Sequence, residues 1–206
     1  MTAFGPRVIY RTATSLDGFI ADDTNSLAWL FAVEQSDAQA ADYASFLDRV
    51  GVLVEGSSTY EWVLAEASLL ELPSKWREYY GERPTFVFTS RELPRPAGAD
   101  VRFVSGPVSE ALPLIIAAAS SKDVWVVGGG DLAGQFLDAQ ALDEITVSIA
   151  PVTLAAGASL FPRRLESSHL TLVAMVQHAQ FIHATYRVTP DPSARSPNEE
   201  TSAAGA

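Results

Sequence analysis

The stretch Val124-Trp125-Val126-Val127-Gly128-Gly129-Gly130-Asp131-Leu132-Ala133-Gly134-Gln135-Phe136-Leu137 limits the folds open to this chain more than any other. The β-branched, apolar run Val124 to Val127 predicts a buried strand. Leu132, Phe136 and Leu137 recur at helical spacing and predict a helix behind it. Three glycines between the two remove every Cβ at the turn. That permits positive φ and lets a ligand approach the main chain. A helix starting there points its free N–H groups and positive dipole end over the turn, which suits a phosphate or pyrophosphate. The competing reading is a tight strand-to-helix turn that binds nothing.

The same pattern recurs along the first two-thirds of the chain. Arg7 to Thr14, Val50 to Glu55, Arg83 to Thr89 and Val101 to Val104 read as strands. Asp37 to Asp48 and Ser109 to Ser120 read as helices, the second capped by Ser109. A third helix is expected from Gly56-Ser57-Ser58-Thr59-Tyr60-Glu61, with a Ser or Thr as its cap. Beyond the glycine turn the pattern changes to strict alternation, at Asp143 to Thr153, Leu170 to Gln177 and Phe181 to Thr189. The last two are joined by His178-Ala179-Gln180 and read as a hairpin. The expected fold is therefore α/β: a mixed, mostly parallel central sheet with antiparallel C-terminal strands and helices on both faces. Residues 1–189 form the expected domain. Residues 190–206, rich in Pro, Ser, Ala and Glu, are expected to be a disordered tail.

Composition narrows the function. A net charge of −11 argues against nucleic acid or an anionic membrane as partner. The absence of cysteine removes disulfides, thiolate metal sites and a cysteine nucleophile. No apolar run is long enough to span a bilayer and no signal segment opens the chain, so a cytoplasmic protein is expected. His169, His178 and His183 have no metal-site spacing, and no metal is expected. Gly128-x-Gly130-x-x-Ala133 fits the dinucleotide fingerprint G-x-G-x-x-G/A formally. However, it follows about the fifth strand rather than the first, and Ala150-Pro151-Val152 stands where a ribose-binding acid belongs. The Rossmann fold is therefore set aside. A P-loop is excluded because no Gly-Lys-Ser/Thr follows.

Three separated motifs carry a family resemblance. They are Ala13-Thr14-Ser15-Leu16-Asp17-Gly18-Phe19-Ile20-Ala21, Gly56-x-x-Thr59-Tyr60-Glu61, and the glycine turn with Leu142-Asp143-Glu144-Ile145, Ala150-Pro151-Val152 and Leu160-Phe161-Pro162. Over residues 7–189 the chain resembles the RibD C-terminal domain, the reductase domain of riboflavin biosynthesis, within the dihydrofolate-reductase-like class. The resemblance implies an eight-stranded mixed sheet, NADPH across the strand ends, hydride transfer to a small pterin- or pyrimidine-like substrate, and a homodimer. It implies that Val127, Gly128, Gly129, Gly130, Asp131 and Leu132 line the pyrophosphate, and that Ala13 and Ile20 touch the nicotinamide side. Gly56, Ser57, Thr59, Ser90 and Arg91 would surround the adenosine phosphates.

Two departures bear on this. Relatives commonly place an Arg where this chain has Ser57, and Arg91 with Ser90 could supply that charge for a 2′-phosphate. The 5-amino-6-(5-phosphoribosylamino)uracil reductases carry a basic residue where this chain has Phe19. For the proton donor, Glu34 is the nearest candidate, with a surface carboxylate as the competing reading. Asp17 is the second candidate, for substrate contact, and an Asx turn before Gly18 competes with it. Trp29 could wall the substrate pocket or belong to the core, and Trp125 reads as core. The alternative function is a dinucleotide-binding protein of the same fold without turnover.

Overall fold

A computed structural model describes residues 5–189, so the expected tail from Pro190 lies outside the described residues. Strand β1 (Val8–Thr14) leads through a short β2 (Phe19–Ala21) and α1 (Ala28–Phe31) to α2 (Asp37–Arg49). Then come β3 (Val50–Gly56), α3 (Ser57–Glu66), α4 (Ser74–Tyr80), β4 (Thr85–Phe88), β5 (Val101–Val104) and α5 (Val108–Ala118). Strand β6 (Asp123–Gly128) feeds α6 (Gly130–Asp138), followed by β7 (Glu144–Ile149), β8 (Ala158–Ser159), a 3-10 turn at Ser167–His169, β9 (Leu170–His178) and β10 (Phe181–Val188).

Eight strands form one sheet in the order β5-β4-β3-β6-β1-β7-β10-β9. The pairs from β5 to β7 are parallel, and β10 is antiparallel to both β7 and β9. The parallel core and antiparallel edge agree with the sequence pattern. The parallel strands are buried on both faces because helices cover both. Val8, Tyr10, Val52, Val54, Val124 and Val126 pack into one layer with Val108 and Ile115 of α5 and Leu132 and Phe136 of α6. Their alternates Ile9, Leu53 and Trp125 pack into the opposite layer with Phe46 of α2, Tyr60 and Leu64 of α3 and Trp76 of α4.

Ion pairs fix the start of β1 in this order. Arg7 reaches Asp123 of β6 at 2.7 Å and Glu144 of β7 at 3.1 Å, and the Val8 amide donates to Asp143 at 2.8 Å. A small second sheet joins β2 to β8. It brings Ala21 so close to Gly157, at φ +141, that a Cβ there would overlap the Ala21 carbonyl.

Some local expectations are corrected. Neither Ser109 nor a hydroxyl of the Ser57–Thr59 run caps its helix. The caps are Pro107 and Gly56, without side-chain hydrogen bonds. The strand expected to run to Thr153 ends at Ile149, before Ala150-Pro151. Helices α1 and α4 and strands β2 and β8 had no signal strong enough to read. The expected hairpin is present, turning through Ala179 and Gln180, with Ala179 at φ 50.

Candidate active site

Neighbouring strands β3 and β6 send their chains to opposite faces of the sheet. After β3, α3 packs on the layer of Tyr60 and Leu64. After β6, α6 packs on the layer of Leu132, Ala133 and Phe136. Where adjacent parallel strands diverge this way, a crevice opens beyond their C-terminal ends. A cavity of about 1230 Å³ lies there. Ala13 of β1, Gly56 of β3, Phe88 of β4, Val127 and Gly128 of β6 and Ser148 of β7 reach it from the strands. Ser57, Thr59 and Trp62 reach it from α3, and Gly129, Gly130, Asp131 and Leu132 from the turn into α6.

The glycine turn is tighter than expected. Gly128 ends β6 and Gly130 begins α6, leaving Gly129 alone between them. A cis peptide joins Gly128 to Gly129, and none of the three takes positive φ. Their purpose is therefore close approach and not the left-handed region. A Cβ on Gly128 would stand 3.0 Å from Thr59 Oγ1, and one on Gly130 would overlap the carbonyls of Ser159 and Leu160. A Cβ on Gly129 meets only Ile20 Cδ1, at 3.8 Å. Gly129 is the N-cap of α6 and no side chain caps the helix. The first N–H groups of α6 therefore have no partner within the helix, and the open Gly129 lets a ligand reach them. Arg163 holds this helix in place, pairing with Asp131 at 3.0 Å and Asp138 at 2.9 Å. Asp131 is held below the usual carboxylate range by Gln135 first and by Arg163.

Eleven of the thirteen residues expected around the cofactor line this cavity: Ala13, Ile20, Gly56, Ser57, Thr59, Val127, Gly128, Gly129, Gly130, Asp131 and Leu132. Ser90 and Arg91 are not among the lining residues. Arg91 is drawn into a bidentate pair with Glu61 of α3, at 2.9 and 2.6 Å.

The two expected catalytic carboxylates are also placed elsewhere. Asp17 accepts from Ser15 Oγ at 2.6 Å and from the amides of Leu154 and Ala155, the latter at 2.7 Å. It pins the turn after β1 to the loop after β7, and those bonds, Ser15 first, lower its pKa. Glu34 is a loop residue between α1 and α2, outside the cavity lining. Trp29 is also outside the lining, whereas Trp125, expected as core, both packs in the core and reaches the cavity.

Other residues at the site carried no sequence signal. Phe31 and Trp62, on α1 and α3, stack at 6.1 Å with their planes 13° apart, and both face the cavity. Ser148 Oγ lies 2.9 Å from His183 Nδ1, and both residues line the cavity. Burial, and then the neighbouring His178 ring 4.8 Å away, lowers the His183 pKa. Glu55, the last side chain of β3 before Gly56, is fully buried and neither carboxyl oxygen has a hydrogen-bond partner. Burial pushes its carboxyl up to about 7. Among the described residues no group of His, Asp and Glu forms a metal site. No helix there is long and apolar enough to cross a membrane.

A family model described as the RibD C-terminal domain matches residues 79–184. The uncharacterized protein YwjB of Bacillus subtilis is 26% identical over 180 residues, covering 87% of this chain and 97% of its own length. Among solved structures, a Shewanella sp. PV-4 protein named for riboflavin biosynthesis is 27% identical with a TM-score of 0.70, covering 89% of this chain and 99% of that one. A dihydrofolate reductase from Enterococcus faecalis, complexed with NADP(H), shares the fold at a TM-score of 0.56 and 19% identity, over 90% of this chain and 98% of that one.

Proposed function

The chain belongs to the RibD C-terminal domain family, and on that premise we propose that it is an NADPH-dependent reductase that passes a hydride to a small pterin- or pyrimidine-like heterocycle. The observation that carries this is the open Gly129 over the uncapped N-terminus of α6, at the point where β3 and β6 diverge. The residues fit the group: unpartnered N–H donors face a cavity large enough for a dinucleotide and a small ring together. NADP(H) in the Enterococcus faecalis enzyme supports the choice of cofactor.

The bound cofactor would supply the hydride. The protein's share is to hold and orient. Gly129, Gly130 and Asp131 would take the pyrophosphate on their backbone, and Ser57 and Thr59 would bond the neighbouring phosphate oxygens. Ala13 and Ile20 would flank the nicotinamide. Asp17, occupied by Ser15 and the loop after β7, would position that wall without touching substrate. With Asp17 and Glu34 outside the cavity lining, the proton that follows the hydride would come from water or from the Ser148–His183 pair. The domain would comprise residues 1–189 and work in the cytoplasm.

Turnover is tested by following NADPH absorbance with a panel of dihydropterins and aminouracils. Steady oxidation with one of them is expected. Saturable NADPH binding with no turnover across the panel would favour the non-catalytic dinucleotide-binding alternative.

A homodimer through the β9 edge forms part of the proposal. Leu172, Val173, Met175 and Val176 on β9 and Ile182 on β10 are between 42% and 68% exposed. Such a row on a nine-residue edge strand supports pairing with a second copy. Met175→Glu is expected to shift the protein to monomer in sedimentation at micromolar concentration. An unchanged dimer, or a monomer before mutation, would remove β9 as the interface.

A further inference from the structure

We infer that the substrate end of the cavity takes a planar ring bearing no phosphate. This rests on the reductase proposal and goes beyond it by naming the charge of the substrate. Two helix starts without side-chain caps, those of α6 and α3, open on the cavity, and the cofactor's phosphates would occupy both. Its other lining residues include the aromatic side chains Phe31, Tyr43, Trp62 and Trp125 and the amides Gln35 and Gln39.

Arg11 is the one Arg or Lys among the described residues that line the cavity, and its charge is already committed. Its Nη2 lies 2.6 Å from Asp42 Oδ2, and its guanidinium sits 4.5 Å over the Phe46 ring and 5.9 Å from that of Tyr43. The remaining charged lining residues are Glu66 and Asp131, on a chain of net charge −11. A phosphomonoester entering here would shed water without gaining a free cation.

A neutral ring meets the opposite situation. Phe31 lines the cavity and stays 59% exposed although it stacks on Trp62, so ring surface is left for a ligand to cover. A planar heterocycle laid on that surface would bury apolar area and stack, while the amides of Gln35 and Gln39 could bond its edge.

The test uses two matched pairs: dihydroneopterin and its monophosphate, and 5-amino-6-(ribosylamino)uracil and its 5-phosphate. Each is titrated by calorimetry into full-length protein saturated with NADP+. Saturation is established first in a separate titration, so failure of the cofactor proposal is seen on its own. The expected result is that at least one unphosphorylated compound binds, about tenfold or more tightly than its phosphorylated partner. Phe31→Ser should then weaken that compound about tenfold without changing the NADP+ titration. Tighter binding of either phosphorylated compound, no binding of any of the four, or indifference to Phe31→Ser would overturn the inference.

Discussion

Gly129→Asp is expected to weaken NADPH binding by about 100-fold or more while leaving the protein folded. Gly129 is the N-cap of α6, and its extended backbone at φ −86 is open to any L residue. Its Cβ would have open space, with Ile20 Cδ1 at 3.8 Å. Aspartate is among the best N-cap residues, because its carboxylate accepts from the N–H groups one turn in. In the variant that carboxylate would take the donors proposed to hold the pyrophosphate and place a negative charge where the phosphates should sit. Thermal unfolding should be unchanged or slightly raised, and calorimetry should lose the NADPH signal. Gly130→Ala gives the contrast. Its Cβ would overlap the carbonyls of Ser159 and Leu160, so binding and stability should fall together. Unchanged NADPH affinity in the Gly129→Asp protein would remove the glycine seat from the proposal.

The second large effect lies in the core. Glu55 is fully buried and unpartnered, and its carboxyl titrates near 7 because burial disfavours the charge. It stands among Tyr43, Tyr60 and Tyr80, from α2, α3 and α4, each of which feels its charge. The folded-state pKa lies above the unfolded one. Stability from this group is therefore fully present below the unfolded value near 4.5 and is lost as pH rises toward about 7. A tenfold change in proton affinity between the folded and unfolded chain is worth about 1.4 kcal/mol, so the loss between about pH 5 and about pH 8 is on the order of 2 to 3 kcal/mol. Glu55→Gln should abolish that slope. Urea unfolding of both proteins at the two pH values is expected to show the variant gaining that much on the wild type as pH rises. Parallel curves would show that Glu55 does not titrate between them.

Much of this architecture was legible along the chain, for a physical reason. Parallel strands buried on both faces read as unbroken apolar runs, so Val50 to Val54 and Val124 to Val127 stood out as strands. Strands β9 and β10 showed in their alternation. The glycine triplet marked the place where helix, strand and ligand converge, though the glycines serve close packing against Thr59 and Leu160 and not positive φ.

The rest depended on partners far apart in sequence. Nothing near Asp17 reveals that the amides of Leu154 and Ala155 take its carboxylate. Nothing near Arg91 reveals that Glu61 does the same for its guanidinium. Glu55 closes the Val50 to Glu55 strand run, and a one-dimensional pattern does not say that three tyrosines from three helices feel its charge. Phe31 lies in a four-residue helix too short to show a period.

The most direct measurement is a calorimetric titration of NADPH, and in parallel NADH, into the wild-type protein. Saturable binding of one NADPH per chain, with a dissociation constant of about 100 µM or tighter, is the expected result. Absence of saturable binding of either nucleotide up to about 1 mM would contradict the proposed cofactor site.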